Sequence, residues 1–307
     1  MSRRRNRNER PGPPGFLIVD KPVGVTSHDV VDRARRWLGT RRVGHLGTLD
    51  PQATGVLPLA IRAATRLIPF VTNTDKGYIG TVKFGSETDT LDAEGRVTRE
   101  YDGPMPERGA VEAALETFHG EIQQIPPMYS AVKKDGVPLH KLARKGEEVE
   151  REPKTVRIDR LDLLRFEVGE LEIRVDCSAG TYVRTLAADL GTLLGCGAHL
   201  KSLRRVRSGP FTSADAFTVD QLDEEAEAGK LDERLVGPDA ALGLPSMKVS
   251  EEGERRLLHG ADISAGTVLR LAPGDRVVAF DTQGQLLAIL ELRPDRRLWP
   301  LRVLQSE

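Results

Sequence analysis

The segment GHLGTLDPQATG at residues 44–55 carries four breakers in twelve positions, so no regular helix or strand is expected to run through it. Apolar runs lie on either side, Phe16 to Val19 upstream and Val56 to Ala60 downstream. Buried elements must therefore be joined here by an irregular loop. Glycine lets a backbone approach a ligand closely, and Asp50, set before Pro51, is biased toward an extended backbone. Loops held by a rigid frame carry function more often than the frame does, which makes Asp50 a candidate catalytic residue. The structural alternative is an aspartate that only organises its own turn.

Around this loop the sequence alternates between helical and extended periods. Ser27 suits an N-cap for a helix from about Asp29 to Leu38, closed by Gly39, with Val30, Val31, Ala34, Trp37 and Leu38 on one stripe. Residues 78–84 read as a strand, 110–118 as a helix and 138–144 as a short helix; QIPPMYSAVKKDG, with adjacent prolines, cannot be helix interior. Strands are expected over 154–165 and 170–177, with a short one into Tyr182, then a helix over 185–194 ended by Gly195. Residues 220–234, DQLDEEAEAGKLDER, hold seven acids against two bases and mark a boundary near 235–245. After it come short β-like runs, TVLRL, PGDRVVAFDTQGQLLAILEL and LWPLRVL, with DTQG as a hairpin turn. The expected organisation is a basic, unstructured tail over 1–14, a main domain over 15–235, and a small β module over 242–307. A chain cut near Ala240 should on this reading still fold.

Composition removes several classes. A chain of 307 residues can bury a sizeable core. Its 45 basic residues nearly balance 46 acidic ones, so net charge names no partner, although arginine dominates the bases and suits bidentate phosphate or carboxylate contacts. Two cysteines, Cys177 and Cys196, cannot make a disulfide scaffold or a four-cysteine zinc site. No apolar run long enough for a membrane span occurs, and the basic start is not followed by the apolar stretch of a secretory signal. A cytoplasmic location is the default expectation. Dinucleotide, P-loop and zincin motifs are all absent from the sequence.

Two further segments carry chemistry-bearing residues. In CSAGTYVRTL, Tyr182 and Arg184 follow a Gly-Thr turn at the mouth of a helix, where an aromatic ring could stack on a base and a guanidinium grip a carboxylate or phosphate. A core tyrosine and a surface arginine are the plain alternative. His199, Lys201, Arg204, Arg205 and Arg207 place five basic residues in nine with no acid among them, which reads as a phosphate-tracking patch.

Taken together, FLIVDKPVGVTS at 16–27, GHLGTLDPQATGVLPLA at 44–60, YIGTVKFGSETDT from Tyr78, QIPPMYSAVK at 124–133, CSAGTYVRTLAADLG from Cys177 and AHLKSLRRVRSGPF from Ala198 resemble, in order and spacing, the bacterial TruB-type tRNA pseudouridine synthases. The resemblance spans roughly residues 15–215, and the terminal module is similar to that family's PUA domain. It implies an α+β fold: a pseudouridine synthase core with a mixed, mostly antiparallel sheet, plus a small C-terminal β-rich module. It implies isomerisation of uridine 55 in the T-arm loop of tRNA, with Asp50 essential and Tyr78 in the active site. His45 would hold the site of the flipped base, Tyr182, Arg184 and Leu203 would line the pocket, and Lys21, Arg66, Arg204, Arg205 and Arg207 would contact RNA. No cofactor or metal is implied; the partner is tRNA, gripped at its acceptor end by the terminal module, and the enzyme is expected to be a monomer. The chain departs from the family at Arg62-Ala63, where Gly-Glu is usual, and at Arg66, where lysine is usual. This reads as a change in RNA contacts.

The chemistry suits these residues. Breaking an N–C glycosidic bond and making a C–C bond to the same ribose needs no redox change. One carboxylate near C1′ can stabilise the developing charge or bond to the sugar, or it can take a neighbouring proton on a glycal route. Arg184 is the candidate to keep Asp50 ionised, and Tyr78 to handle the proton at C5. Two other readings compete. One is a non-catalytic RNA-binding or RNA-chaperone protein. The other is a glycosidase or nucleosidase, for which Asp20 or Asp89 would have to supply the second carboxylate.

Overall fold

The computed structural model describes residues 10–71, 74–130, 132–265 and 271–304. Most of the basic tail expected over 1–14 lies outside them, as does nearly all of the TVLRL run. The part of the tail that is described is fixed in place: Arg10 N donates to Gly39 O at 2.9 Å, and Pro13 O accepts from Arg62 Nη1 at 2.9 Å.

A ten-stranded sheet forms the body of the chain. Its strands run in the order Phe217–Thr218, Gly15–Lys21, Thr54–Ile61, Ala198–Ser208, Lys76–Phe84, Glu170–Cys177, Lys154–Glu167 and Gly120–Gln124, with Val43–His45 and Phe211–Thr212 attached beside this path. Gly15–Lys21 with Phe217–Thr218, and Thr54–Ile61 with Ala198–Ser208, pair in parallel; the remaining pairs are antiparallel.

The two apolar runs that flank the Asp50 loop are continuous because both faces of the sheet are covered there. Leu17, Val19, Leu57, Leu59 and Ile61 enter one core, while Phe16, Ile18, Val56 and Ala60 enter another on the opposite face. That second core also takes Val278, Leu286, Ile289 and Leu304 from the C-terminal module. The module, a five-stranded sheet built from Ser246–Lys248, Ile263–Ser264, Arg276–Phe280, Leu286–Leu292 and Arg297–Val303, therefore seals one face of the main sheet. A cut near Ala240 would take Val278, Leu286, Ile289 and Leu304 out of the core that also holds Phe16, Ile18 and Val56. The hairpin at DTQG forms as expected, with Asp281 Oδ1 accepting from Gln283 N and Gln285 N.

The first helix runs over Ser27–Leu38, but Thr26 is its N-cap, in a reciprocal capping box with Asp29. Ser27 is turned inward instead. Its hydroxyl accepts from Leu49 N at 2.8 Å and donates to Leu49 O at 3.1 Å, so the residue expected to cap the helix holds the Asp50 loop. The acidic stretch is no linker: Val219–Glu227 is a helix, Asp223 accepts from Arg33 and from Trp37 Nε1, and Asp232 accepts from Arg62 Nη1 at 2.8 Å. Arg62 is thus buried between the N-terminal segment and the acidic segment, which corrects its reading as an RNA contact. No strand leads into Tyr182. The strand Ala198–Ser208, which the basic residues disguised as a surface patch, lies near the centre of the sheet.

Candidate active site

Val43–His45 pairs with Thr54–Ile61, so the irregular loop shrinks to residues 46–53, with Asp50 near its tip. The loop is held from below. Leu46 and Leu49 are buried, Leu46 N donates to Pro58 O at 3.0 Å, and Ala53 N donates to Asp50 O at 3.1 Å. Gly55 has φ of 99°, and a Cβ there would sit 2.2 Å from Arg205 O, so only glycine fits the crossing of the two strands. Lys21 is fully buried, and its ammonium donates to Pro22 O, Val25 O and Pro51 O at 2.9, 2.6 and 3.0 Å. Lys21 therefore does not face RNA, as expected from the resemblance, but ties the turn after the first strand to the residue following Asp50. Burial pushes its amine down to about 8.

Arg184 enters from the first turn of the helix Val183–Leu193. Its Nε lies 3.2 Å from Asp50 Oδ2, its Nη1 3.2 Å from Asp92 Oδ2 and 3.3 Å from Thr90 O, and its Nη2 3.0 Å from Tyr129 O. Every guanidinium nitrogen thus has a partner, and the planar fork fixes the carboxylate of Asp50. Asp50 is still open on its other side, with 41% of its side chain exposed against 7% for Arg184. Burial pushes the Asp50 carboxyl above its ordinary value, Arg184 pulls it back, and the neighbouring charges of Asp92 and Glu94 push it up again.

Sequence reasoning missed Asp92. It sits in the turn between the short strands Ser86–Thr88 and Val97–Glu100, where Asp92 Oδ1 accepts from Thr90 Oγ1 and Glu94 N, and Thr88 Oγ1 donates to Asp92 O. Leu200 N donates to Leu91 O and Ala93 N to Leu200 O, docking the turn on the central strand. A stretch of Thr and Asp, TDTLD, was the available signal, because such side chains fold a turn around themselves. Gln124 was missed as well. It is buried, its Oε1 accepts from Tyr182 N at 2.7 Å, and its Nε2 donates to Tyr182 O at 3.0 Å. Tyr182 is thereby held as the residue before the helix.

Tyr78 lies mid-sheet and is buried, opposite Val175 on one neighbour and Arg205 on the other. Burial pushes its phenol up, and Arg205, hydrogen-bonded to it, pulls it down. Asp50 is near enough for its charge to act on both Tyr78 and Tyr182. Leu203 is half-buried opposite Gly80, whose missing side chain leaves room for it. His45 stands half-buried at the end of its short strand, and burial pushes its imidazole down, toward the neutral form. The structure thus brings Asp50 against Arg184 and within electrostatic reach of Tyr182 and Tyr78.

It does not gather the basic run as a phosphate patch. Arg205 is 1% exposed and donates to Val56 O and Gly47 O. Arg204 makes a bidentate pair with Asp20, at 3.0 and 2.7 Å. Arg207 pairs with Asp176 at 3.0 Å, Lys201 with Glu170, and His199 is buried against Ser86 O. The run had no acid within it, but strand pairing brings acids from elsewhere. Arg66 lies in the short helix Arg62–Leu67, half-buried and away from these pairs. Asp20 pairs with Arg204 and Asp89 with Arg96, whereas the carboxylate that shares Arg184 with Asp50 is Asp92.

Residues 35–183 match the model of the TruB family pseudouridylate synthase N-terminal domain, and residues 184–242 match that of the tRNA pseudouridylate synthase B C-terminal domain. The chain belongs to the TruB family of tRNA pseudouridine synthases. Among curated relatives, the tRNA pseudouridine synthase B of Geobacter sulfurreducens is 45% identical over 86% of this chain and 92% of its own length. That of Symbiobacterium thermophilum is 52% identical over 80% and 82%, and that of Pseudomonas aeruginosa 44% identical over 95% and 96%. In solved structures the fold is similar to a chain of a Cbf5-Nop10-Gar1 complex, at TM-score 0.69 and 28% identity over 95% of this chain and 85% of that one. It is also similar to a chain of an H/ACA RNP bound to a substrate RNA containing 2′-deoxyuridine, at TM-score 0.68 and 25% identity over the same shares. As a TruB-family isomerase, the enzyme binds tRNA and converts a uridine in it to pseudouridine.

Proposed function

We propose that the target is uridine 55 in the T-arm loop, and that Asp50 is the carboxylate that acts at its C1′. The observation that carries this reading is the Asp50–Arg184 pair, with Asp50 partly exposed and its charge reaching Tyr78 and Tyr182. The uridine is flipped out of its stack to reach this depth, and His45, neutral and half-buried, fills the space it leaves. As the glycosidic bond breaks, the Asp50 carboxylate stabilises the positive charge at C1′, bonds to it, or removes the adjacent proton. Arg184 keeps that carboxylate ionised and aimed. The freed uracil turns between Tyr78 and Leu203, walls without a fixed hydrogen-bond partner for each ring edge, so rotation is not blocked. It rejoins through C5, and Tyr78 takes the C5 proton.

Recognition of the T-arm rests on shape and phosphate contacts, with Arg66 among them. Residues 242–307 grip the acceptor end; their sheet is packed on the back of the catalytic sheet, so the two grips keep a set spacing. The test is incubation with an unmodified tRNA transcript, and with its T-arm stem-loop alone, followed by pseudouridine mapping at nucleotide resolution. A single new pseudouridine at position 55 in both RNAs supports the reading; none, or one elsewhere, contradicts it.

A further inference from the structure

Arg205 is a buried cation with an unusual set of partners. It is 1% exposed, and among the described residues no carboxylate pairs with it; its Nε and Nη2 donate to the carbonyls of Val56 and Gly47 at 2.7 and 3.1 Å. A buried charge without a counter-charge is costly, and carbonyl dipoles offset only part of that cost. The group its charge acts on is the Tyr78 hydroxyl. Strand register makes this meeting unavoidable: Arg205 and Tyr78 stand directly opposite each other on antiparallel neighbours, and so on one face. The register then slips between Arg205 and Arg207, which sends Arg207 to Asp176 and leaves Arg205 with the tyrosine. Lys76, two residues before Tyr78 on the same face, is buried beside Arg205 under Gly47 and adds a second positive field.

We infer that Arg205 is the positioning residue for Tyr78: it fixes the phenol oxygen in the cleft and supplies the counter-charge for its phenolate, the form that accepts the C5 proton. This rests on the reading of Tyr78 given above. In that step the proton leaves C5 for the Tyr78 oxygen, the C–H pair becomes the C5–C6 double bond, and N1 takes a proton from solvent; the phenol then returns its proton to solvent. The charged or titratable groups facing the phenol are Arg205 from the neighbouring strand, Cys177 from the other neighbour and Asp50 from the loop, with Lys76 behind Arg205. Cys177 is buried and held as the thiol, and Asp50 is an anion that opposes the phenolate. Arg205 is therefore the nearest group that favours it.

The experiment is a single-turnover assay on unmodified tRNA with Arg205→Met and Arg205→Lys, each carrying tyrosine or the more acidic 3-fluorotyrosine at position 78, beside Tyr78→Phe and the double variant Tyr78→Phe/Arg205→Met. Arg205→Met should slow isomerisation about 100-fold and Arg205→Lys about tenfold. Fluorotyrosine should return at least about tenfold of each loss, because it supplies by acidity what the guanidinium supplied by charge. In the Tyr78→Phe background, Arg205→Met should cost nothing more. If fluorotyrosine returns nothing, or the two losses multiply, Arg205 only braces the strands and the inference is overturned. Should Arg205→Met fail to fold, Arg205→Lys carries the same comparison. A wild-type rate for Tyr78→Phe would instead remove the role assigned to Tyr78 itself.

Discussion

The two sides of the cleft are built from opposite charges. On one side Asp50 and Asp92 flank the Arg184 guanidinium, and the charges of Asp92 and Glu94 act on Asp50. On the other, three cations, Lys21, Lys76 and Arg205, are buried beneath the loop, Lys21 on Pro51 O, Lys76 and Arg205 under Gly47, and Arg205 opposite Tyr78. Burial and the neighbouring acids raise the Asp50 carboxyl while Arg184 and Lys21 pull it back, whereas Arg205 offsets part of the rise that burial imposes on the Tyr78 phenol.

The division can be broken most severely at its hinge. Arg184→Met leaves Asp50 and Asp92 facing each other with no cation between them. Losing its charge-assisted contacts to both carboxylates, about 2 kcal/mol each, should lower the single-turnover rate about 10³-fold while circular dichroism stays unchanged. A rate within tenfold of wild type would mean that Asp50 does not depend on this pair.

On the cationic side, Lys21→Met removes the donor to three buried carbonyls and should lower the unfolding free energy by about 3 kcal/mol, read by denaturant titration. RNA affinity of the folded fraction should be unchanged, since Lys21 faces the protein interior. A loss of affinity without a loss of stability would restore Lys21 to the RNA surface.

Asp92→Asn keeps the shape of the turn and halves the charge that Arg184 balances. The loss of one charge-assisted contact, about 2 kcal/mol, should slow turnover about 30-fold with tRNA affinity retained. Equal slowing and weakening of binding would place Asp92 at the RNA instead.

The smallest effect sharpens the electrostatic argument. Catalysis needs the Asp50 carboxylate, and burial raises its pKa, so the rate should fall with decreasing pH at a midpoint above that of an ordinary aspartate. Glu94→Gln removes one negative neighbour, which favours the ionised form. The acid limb of the single-turnover profile should therefore move to lower pH, with the plateau near pH 8 changed less than about twofold. A shift in the opposite direction would contradict the charge reading.

These side chains differ in how readily the sequence disclosed them. Asp50, Tyr182 and Arg184 stand in contiguous glycine-marked segments, and the chemistry they serve needs those residue types in that order. The apolar runs around the loop were legible for the same reason, because each is bounded by breakers. Lys21 and Arg205 were misread as RNA contacts because their burial is decided by strands far apart in sequence. Arg205 is interior only because a central strand runs through a stretch whose other cations, Arg204 and Arg207, meet acids at Asp20 and Asp176. Gln124 and Asp92 look like solvated polar residues until the Tyr182 backbone and the Arg184 guanidinium are laid against them. The shared second core was hidden too, since no local pattern tells that Phe16 and Ile289 face the same interior.

The most direct measurement takes the Asp50→Asn enzyme, purified from cells lacking any wild-type copy, and gives it unmodified tRNA under single-turnover conditions with pseudouridine mapped at nucleotide resolution. No pseudouridine should form, while Kd for tRNA stays within about tenfold of wild type because phosphate contacts carry most of the affinity. Pseudouridine formed by this variant at a measurable rate would contradict the assignment of Asp50 and, with it, the account of the cleft.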